Sequence, residues 1–247
     1  MLGLPDHVIA CLFDLDGVLT NTAAVHNAAW TEMFNAYLRE RAERTDEEFV
    51  AFDPQVDYPK YVDGKPRADG VRDFLASRGI NLTEGGDDDP PDAETVHGLA
   101  NRKNAAVLRR IDEDGVEVFE GSQRYLEAAR GAGMRRAVVS SSANTRQVLE
   151  VTGLIDLVEG WIDGITIGVE GLKGKPAPDT FLAGARCVGV EPAQAAVFED
   201  ALAGVEAGWG GRFGFVVGVD RIGQAEALRA AGADIVVGDL GDLLEHR

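Results

Sequence analysis

Five short apolar runs rich in β-branched residues, VIACLF, RAVVS, AAVF, GFVVGV and DIVVG, recur along this chain. Runs of this length and texture read as strands buried on both faces, the habit of a parallel sheet. Between the later runs lie amphipathic stretches such as NTRQVLEVTG, PDTFLAGARCVGV and ALAGVEAGWGG, several ending in glycine where a helix C-terminus favours it. Strand alternating with helix predicts an α/β fold, a doubly wound parallel sheet. More than a hundred residues separate the first run from the second, and from 21 to 114 they read mostly as helix: AAVHNAAWTEMFNAYLRERA, RADGVRDFLASRGI and DAETVHGLANRKNAAVLRRI. A chain of 247 residues has room for a core with an inserted second domain. The expected division is an α/β core of residues 1–20 and 115–247 and a helical insertion of residues 21–114.

A formal net charge of −18 argues against nucleic acid or an anionic membrane as partner, since both repel an acidic surface. An anionic substrate then needs a local basic pocket or a metal ion. No basic segment leads into an apolar run at the N-terminus, and no run approaches the length of a membrane span, so a cytoplasmic location is expected. The two cysteines, Cys11 and Cys187, each lie in an apolar stretch and read as core thiols rather than a disulfide. TEGGDDDPPD lacks the alternating spacing and closing glutamate of a calcium loop and is expected to be a solvated turn. There is no internal repeat, and nothing in the pattern sets an oligomeric state.

The chemistry-bearing residues fall at the ends of the strands. FDLDGV places Asp14 and Asp16 after the first run, and RAVVS ends in Ser140, followed by Ser141 and Ser142; these hydroxyls can hydrogen-bond an anion, and Ser141 and Ser142 are expected to bind substrate. AAVFED ends in Glu199 and Asp200, and KGKPAPD supplies Lys175 from a loop stiffened by two prolines. In open parallel sheets, chemistry gathers outside the carboxyl ends of the strands, near the point where strand order reverses. Carboxylates crowded there repel one another unless a hard cation sits among them, and Mg2+ suits carboxylates, waters and a substrate phosphate. The expected ligands are Asp14, Asp16, Glu199 and Asp200. Asp14 is the candidate nucleophile on phosphorus, forming an aspartyl-phosphate, and Asp16 the candidate general acid/base. Lys175 and Ser140 would neutralise and orient the transferring group.

Taken together, DLDGV, the strand-end Ser140, KPAPD and the ED pair at 199 and 200 resemble the four motifs of the haloacid dehalogenase superfamily, in order and at compatible spacing. The insertion stands where that family carries a helical cap. DGVLTNTAAVH further resembles the β-phosphoglucomutase subfamily, which interconverts β-glucose 1-phosphate and glucose 6-phosphate. That resemblance implies a small sugar phosphate as substrate. It also implies that Thr22 acts as a hinge, that His26 positions the acid/base, and that Arg67 grips the phosphate not being transferred. Lys103 would pair with the acid/base region on closure, and Ser142 and Asn144 would form the core half of the distal phosphate site. On residue type alone, His26 and Trp30 on one helix read as packing, and Arg67 and Lys103 as surface charges. After Ser142 the subfamily pattern has a lysine where this chain has Ala143, with Arg146 one helical turn further on. A phosphatase that lets water attack the same intermediate is the alternative, and a non-enzymatic phospho-receiver module is a remote one.

Overall fold

The computed structural model describes residues 2–45 and 47–245. Strands β1 (Ala10–Phe13), β2 (Arg135–Val139), β3 (Gly160–Ile162), β4 (Ala195–Glu199), β5 (Phe215–Val219) and β6 (Ile235–Val237) form a six-stranded sheet in the order β3-β2-β1-β4-β5-β6, with parallel pairing at every interface. Each of the five apolar runs holds a strand. The sixth, β3, is the sequence GWI, and only its isoleucine is buried, so it carries no apolar run to read.

The chain leaves β1, winds outward through β2 and β3, then returns to the other side of β1 as β4, so strand order reverses at β1. Register fixes what meets there. Phe13 pairs with Val138 on one side and Phe198 on the other, which brings Asp14, Val139 and Glu199 to one level at the carboxyl edge. Both sheet faces are covered. Ala10, Leu12, Ala137, Val139 and Val197 point to the side of α6 (Gly164–Glu170) and α7 (Asp179–Cys187), packing with Ile167, Phe181 and Ala185. Phe13 points the other way, stacked on Phe198 at 4.5 Å and edge-on to Tyr125 of α4 (Glu120–Gly131) at 6.2 Å.

Cys11 is buried as expected, and burial pushes its thiol up to about 12. Cys187 is exposed, contrary to the expectation of a core thiol. The buried positions of α7 include Phe181, Gly184 and Ala185, continued by Val188, and residue 187 falls off that i, i+3, i+4, i+7 face.

The chain divides into two compact units: Met1–Thr22, Gly64–Pro66 and Val116–Arg247 form one, and Ala23–Asp63 with Arg67–Gly115 the other. Met1 and Arg247, the outer limits of the expected core, lie outside the described residues. The tripeptide Gly64–Pro66 groups with the sheet, which a boundary drawn on helical texture does not detect. The second unit is built from α1 (Ala23–Thr45), α2 (Arg67–Ser77) and α3 (Val96–Asp114). Trp30, Met33, Phe34 and Tyr37 recur at helical spacing on α1 and are all buried. Phe34 is the hub, 5.2 Å from Trp30, 5.2 Å from Phe52 and 4.2 Å from Phe74, centroid to centroid. Thr95 caps α3, accepting from the Gly98 N–H. TEGGDDDPPD is a loop held from within the unit, with Asn101 Nδ2 donating to the carbonyls of Asp87 (2.9 Å) and Asp89 (2.8 Å). Among the described residues no helix is long and apolar enough to cross a membrane.

Phe34→Ala removes the hub of three ring contacts. It is expected to destabilise the helical unit by about 3–5 kcal/mol, read from urea unfolding; a loss below about 1 kcal/mol would show that the rings do not form a packed core.

Candidate active site

At the carboxyl edge, Asp14 follows β1 directly and its N–H donates to Phe198 O at 2.9 Å, continuing the ladder one residue past the strand. Glu199 is the last residue of β4 and is fully buried. Lys175 comes from the loop before α7, at a cis Lys175–Pro176 bond, and is 2% exposed. Its ammonium donates to Asp14 Oδ1 (2.6 Å), Glu199 Oε1 (2.5 Å) and the Val139 carbonyl (3.2 Å), which uses all three of its protons. The backbone N–H of Ala201 donates to the other oxygen of Glu199 at 2.9 Å.

Electrostatics follow from this geometry. Burial pushes the Asp14 carboxyl well above the usual carboxylate range; the Lys175 charge opposes this, and Glu199 and Asp16 reinforce it. Burial alone would lower Lys175, but the Asp14 and Glu199 carboxylates outweigh it and hold the ammonium above its ordinary value.

Asp14, Glu199 and Asp200 each present a carboxylate oxygen within 4.8 Å of the others, and at that distance each pair repels by at least roughly 3.5 kcal/mol at an effective dielectric of about 20. One ammonium, touching two of the three, leaves the ionised set with a net negative charge, and the donor set, all hard oxygen, suits a divalent cation such as Mg2+. Space is reserved for these groups. A Cβ at Gly204 would overlap the Glu199 carboxylate, and one at Gly17, whose φ is +92°, would overlap that of Asp200.

Asp16, expected among the metal ligands, is not part of this group. Its carboxylate is taken by hydroxyls: Thr22 Oγ1 donates to Oδ1 in a short hydrogen bond, and Ser140 Oγ donates to Oδ2 at 3.3 Å. Behind Thr22 stands Thr20, fully buried, with its hydroxyl 2.7 Å from that of Thr22 and 3.1 Å from the Leu15 carbonyl. Each hydroxyl has one proton to give, so the chain from Asp16 through Thr22 and Thr20 can align toward an ionised Asp16 or away from a protonated one. Thr20 escaped the sequence reading, although its signal was present as a second threonine two residues before the one singled out.

The serines after β2 differ in use. Ser140 Oγ also accepts from the Ser142 N–H (3.0 Å), and Ser142 Oγ accepts from the Asn144 N–H (3.2 Å), ahead of α5 (Thr145–Thr152). Ser141 donates its hydroxyl to the Gly64 carbonyl at 2.9 Å, a structural use not foreseen from the sequence. Arg146 is largely exposed and donates to Glu150 at 2.9 Å, one turn along α5.

In the helical unit Lys103 is 6% exposed and its ammonium sits 2.9 Å from His26 Nδ1 and 4.9 Å from the centre of the Trp30 ring. An ammonium only donates, so His26 Nδ1 accepts and the ring proton lies on Nε2. Arg67 is half-buried and donates to Asn101 Oδ1 at 3.2 Å. The amide of Asn101 is bound to the acidic loop, so that loop fixes the partner of Arg67.

Comparison with known proteins bears on this arrangement. The family model for haloacid dehalogenase-like hydrolases matches residues 9–209. A protein named β-phosphoglucomutase from Mycobacterium bovis is 59% identical over 247 residues, covering 99% of this chain and 94% of its own. Another of that name from Bacillus subtilis is 32% identical, covering 95% and 91%. The crystal structure of a β-phosphoglucomutase from Clostridium difficile is similar with a TM-score of 0.75 at 25% identity, covering 96% of this chain and 93% of that one.

Lys175→Met leaves two buried carboxylates without their cation and is expected to cost about 3–5 kcal/mol in unfolding measured in EDTA at pH 8. A buried carboxyl with a raised pKa holds a proton that the unfolded chain has released, so stability falls as pH rises. Lys175 opposes the rise at Asp14, so its loss raises that carboxyl further in the variant than in the wild type, and the deficit should narrow as pH is lowered from 8 towards 5.5. A deficit independent of pH would contradict the electrostatic origin.

Proposed function

Because the chain belongs to the haloacid dehalogenase-like hydrolase family and is an enzyme, we propose that it is a magnesium-dependent β-phosphoglucomutase, converting β-glucose 1-phosphate to glucose 6-phosphate through a phosphoryl group carried on Asp14. The observation that carries the chemistry is the position of Asp14, a carboxylate at the mouth of the strand-order reversal, oriented by a buried ammonium and flanked by two further carboxylates. The 59% identity to a full-length β-phosphoglucomutase supports the choice of substrate.

Asp14, Glu199 and Asp200 are the residues assigned to hold Mg2+. When bound there, the ion offsets negative charge so that an anionic nucleophile and an anionic phosphate can meet. An Asp14 carboxylate oxygen attacks phosphorus, forming a phosphorus–oxygen bond as the bond from phosphorus to the departing sugar oxygen breaks. Asp16 gives that oxygen its proton and takes one from the hydroxyl that attacks next, and the Thr22–Thr20 hydroxyls adjust to either state. Lys175 fixes the rotamer of Asp14, and Ser140 that of Asp16.

The helical unit serves as a cap, with Arg67 binding the phosphate that is not transferred and Lys103 holding His26 in one tautomer. Thr22, Ser142 and Asn144 are assigned to substrate binding and cap closure on the same resemblance. A second reading, a sugar-phosphate phosphatase, is favoured by one observation: Ala143 brings no cation to the distal phosphate site, and Arg146 is paired with Glu150 on the exposed face of α5.

Phosphorus NMR of the protein with Mg2+, β-glucose 1-phosphate and a trace of glucose 1,6-bisphosphate tests the choice. Glucose 6-phosphate should appear faster than inorganic phosphate; inorganic phosphate alone would make the enzyme a phosphatase. EDTA should abolish the conversion and Mg2+ restore it. Asp14→Asn should remove turnover by at least about 10³-fold with the fold intact. Arg67→Ala should lower mutase kcat/KM by about 10-fold or more while sparing hydrolysis of a small phosphate monoester; equal losses would argue against a distal phosphate contact.

A further inference from the structure

The loop after β5 is outside the chemistry above, yet it grips the backbone on both sides of the carboxylate cluster. Asp220 closes this loop on itself. Its Oδ1 accepts from the N–H groups of Gly223 and Gln224, each at 2.7 Å, and its Oδ2 from that of Ala225 at 3.1 Å. Two side chains leave this fixed loop towards the site. Arg221 lays its guanidinium over the Phe119 ring, 3.7 Å from the centroid, and donates to the carbonyls of Gly17 (2.9 Å), Val18 (3.3 Å) and Gly238 (3.0 Å) and to Asp239 Oδ2 (3.1 Å). Gln224 Nε2 donates to the Asp200 carbonyl at 2.9 Å.

Gly17 is the residue after Asp16, and the Asp200 carboxylate lies against it so closely that no Cβ fits. One short loop therefore holds the backbone of the turn after Asp16 and the backbone of Asp200, two segments that meet at the cluster. The acceptors on those two segments are main-chain carbonyls, so the grip sets the position of the backbone without engaging the Asp200 carboxylate.

We infer that Arg221 and Gln224 are positioning residues for the cation: they set the separation between the Asp14–Gly17 turn and Asp200, and with it the size of the cage offered to a divalent ion. Mg2+ demands near-ideal octahedral geometry at about 2.0–2.1 Å, so a cage that widens by a few tenths of an ångström loses affinity. A loop that merely braced the fold would contribute to unfolding stability and leave metal affinity untouched. The inference rests on the proposal that Asp14, Glu199 and Asp200 hold the metal.

Direct binding of Mn2+, followed by the electron paramagnetic resonance signal of the free ion, separates these cases without reference to turnover. Gln224→Ala and Arg221→Lys, the latter keeping the charge and losing the planar fork, should each raise the Mn2+ dissociation constant about 10–100-fold, the usual effect of removing a group that orients a ligand. Ile222→Ala, at a 70% exposed side chain of the same loop, should bind as the wild type does. Wild-type affinity in both Gln224→Ala and Arg221→Lys would overturn the inference, as would an equal loss in Ile222→Ala. A wild-type protein that binds no Mn2+ would overturn the metal assignment itself, and the positioning role with it; a wild type that binds beside variants that bind equally well would overturn the positioning role alone.

Discussion

The rest of the site depends on one buried ammonium. Lys175 has left water entirely, which is costly for a charge unless it is paired and hydrogen-bonded, and it is both: Asp14, Glu199 and the Val139 carbonyl take its three protons. Those acceptors sit at the ends of β1, β4 and β2, three adjacent strands, so the contact ties the level at which the strands end to the chemistry they support. The parallel register supplies the coincidence of level, and the reversal of strand order at β1 opens the crevice. A lysine in this place stabilises two carboxylates without satisfying the third, and that remaining imbalance is what a divalent cation would answer.

Much of this could be read from the sequence because two independent patterns converge. The buried runs mark where strands lie, and the charged residues that interrupt them mark where strands end, so Asp14, Ser140, Glu199 and Asp200 were placed by both. What escaped lies where side-chain direction, rather than position along the chain, decides the outcome. The carboxylate of Asp16, an expected metal ligand, meets the hydroxyls of Thr22 and Ser140 and stands outside the group formed by Asp14, Glu199 and Asp200, a direction that no periodicity records. Ser141 has a hydroxyl like its neighbours, but spends it on Gly64, seventy-seven residues away in sequence. Cys187 sits in an apolar stretch yet projects from the wrong side of α7. The roles of Arg221 and Gln224 had no sequence signal at all, because their principal acceptors are backbone carbonyls that every residue offers.

Within the helical unit, apolar and polar parts are coupled. The ring cluster around Phe34 fixes Trp30, and the Trp30 face in turn receives the Lys103 ammonium that holds His26. Arg67 is likewise fixed through Asn101 by the acidic loop, a segment whose composition alone suggested nothing beyond a solvated turn. Residues that would be surface charges by type are thus held in defined orientations, the precondition for binding an anion without a large ordering cost.

The central claim is that Asp14 carries the phosphoryl group, and it can be tested on the protein directly. Protein mixed with Mg2+ and glucose 1,6-bisphosphate is acid-quenched within a turnover and reduced with borohydride, which converts an acyl phosphate on aspartate to homoserine. Peptide mass spectrometry should then find homoserine at position 14, and none when Lys175 is replaced by methionine or Asp14 by asparagine. Homoserine at another carboxylate, or turnover with no modified residue at position 14, would contradict the assignment of Asp14 as nucleophile.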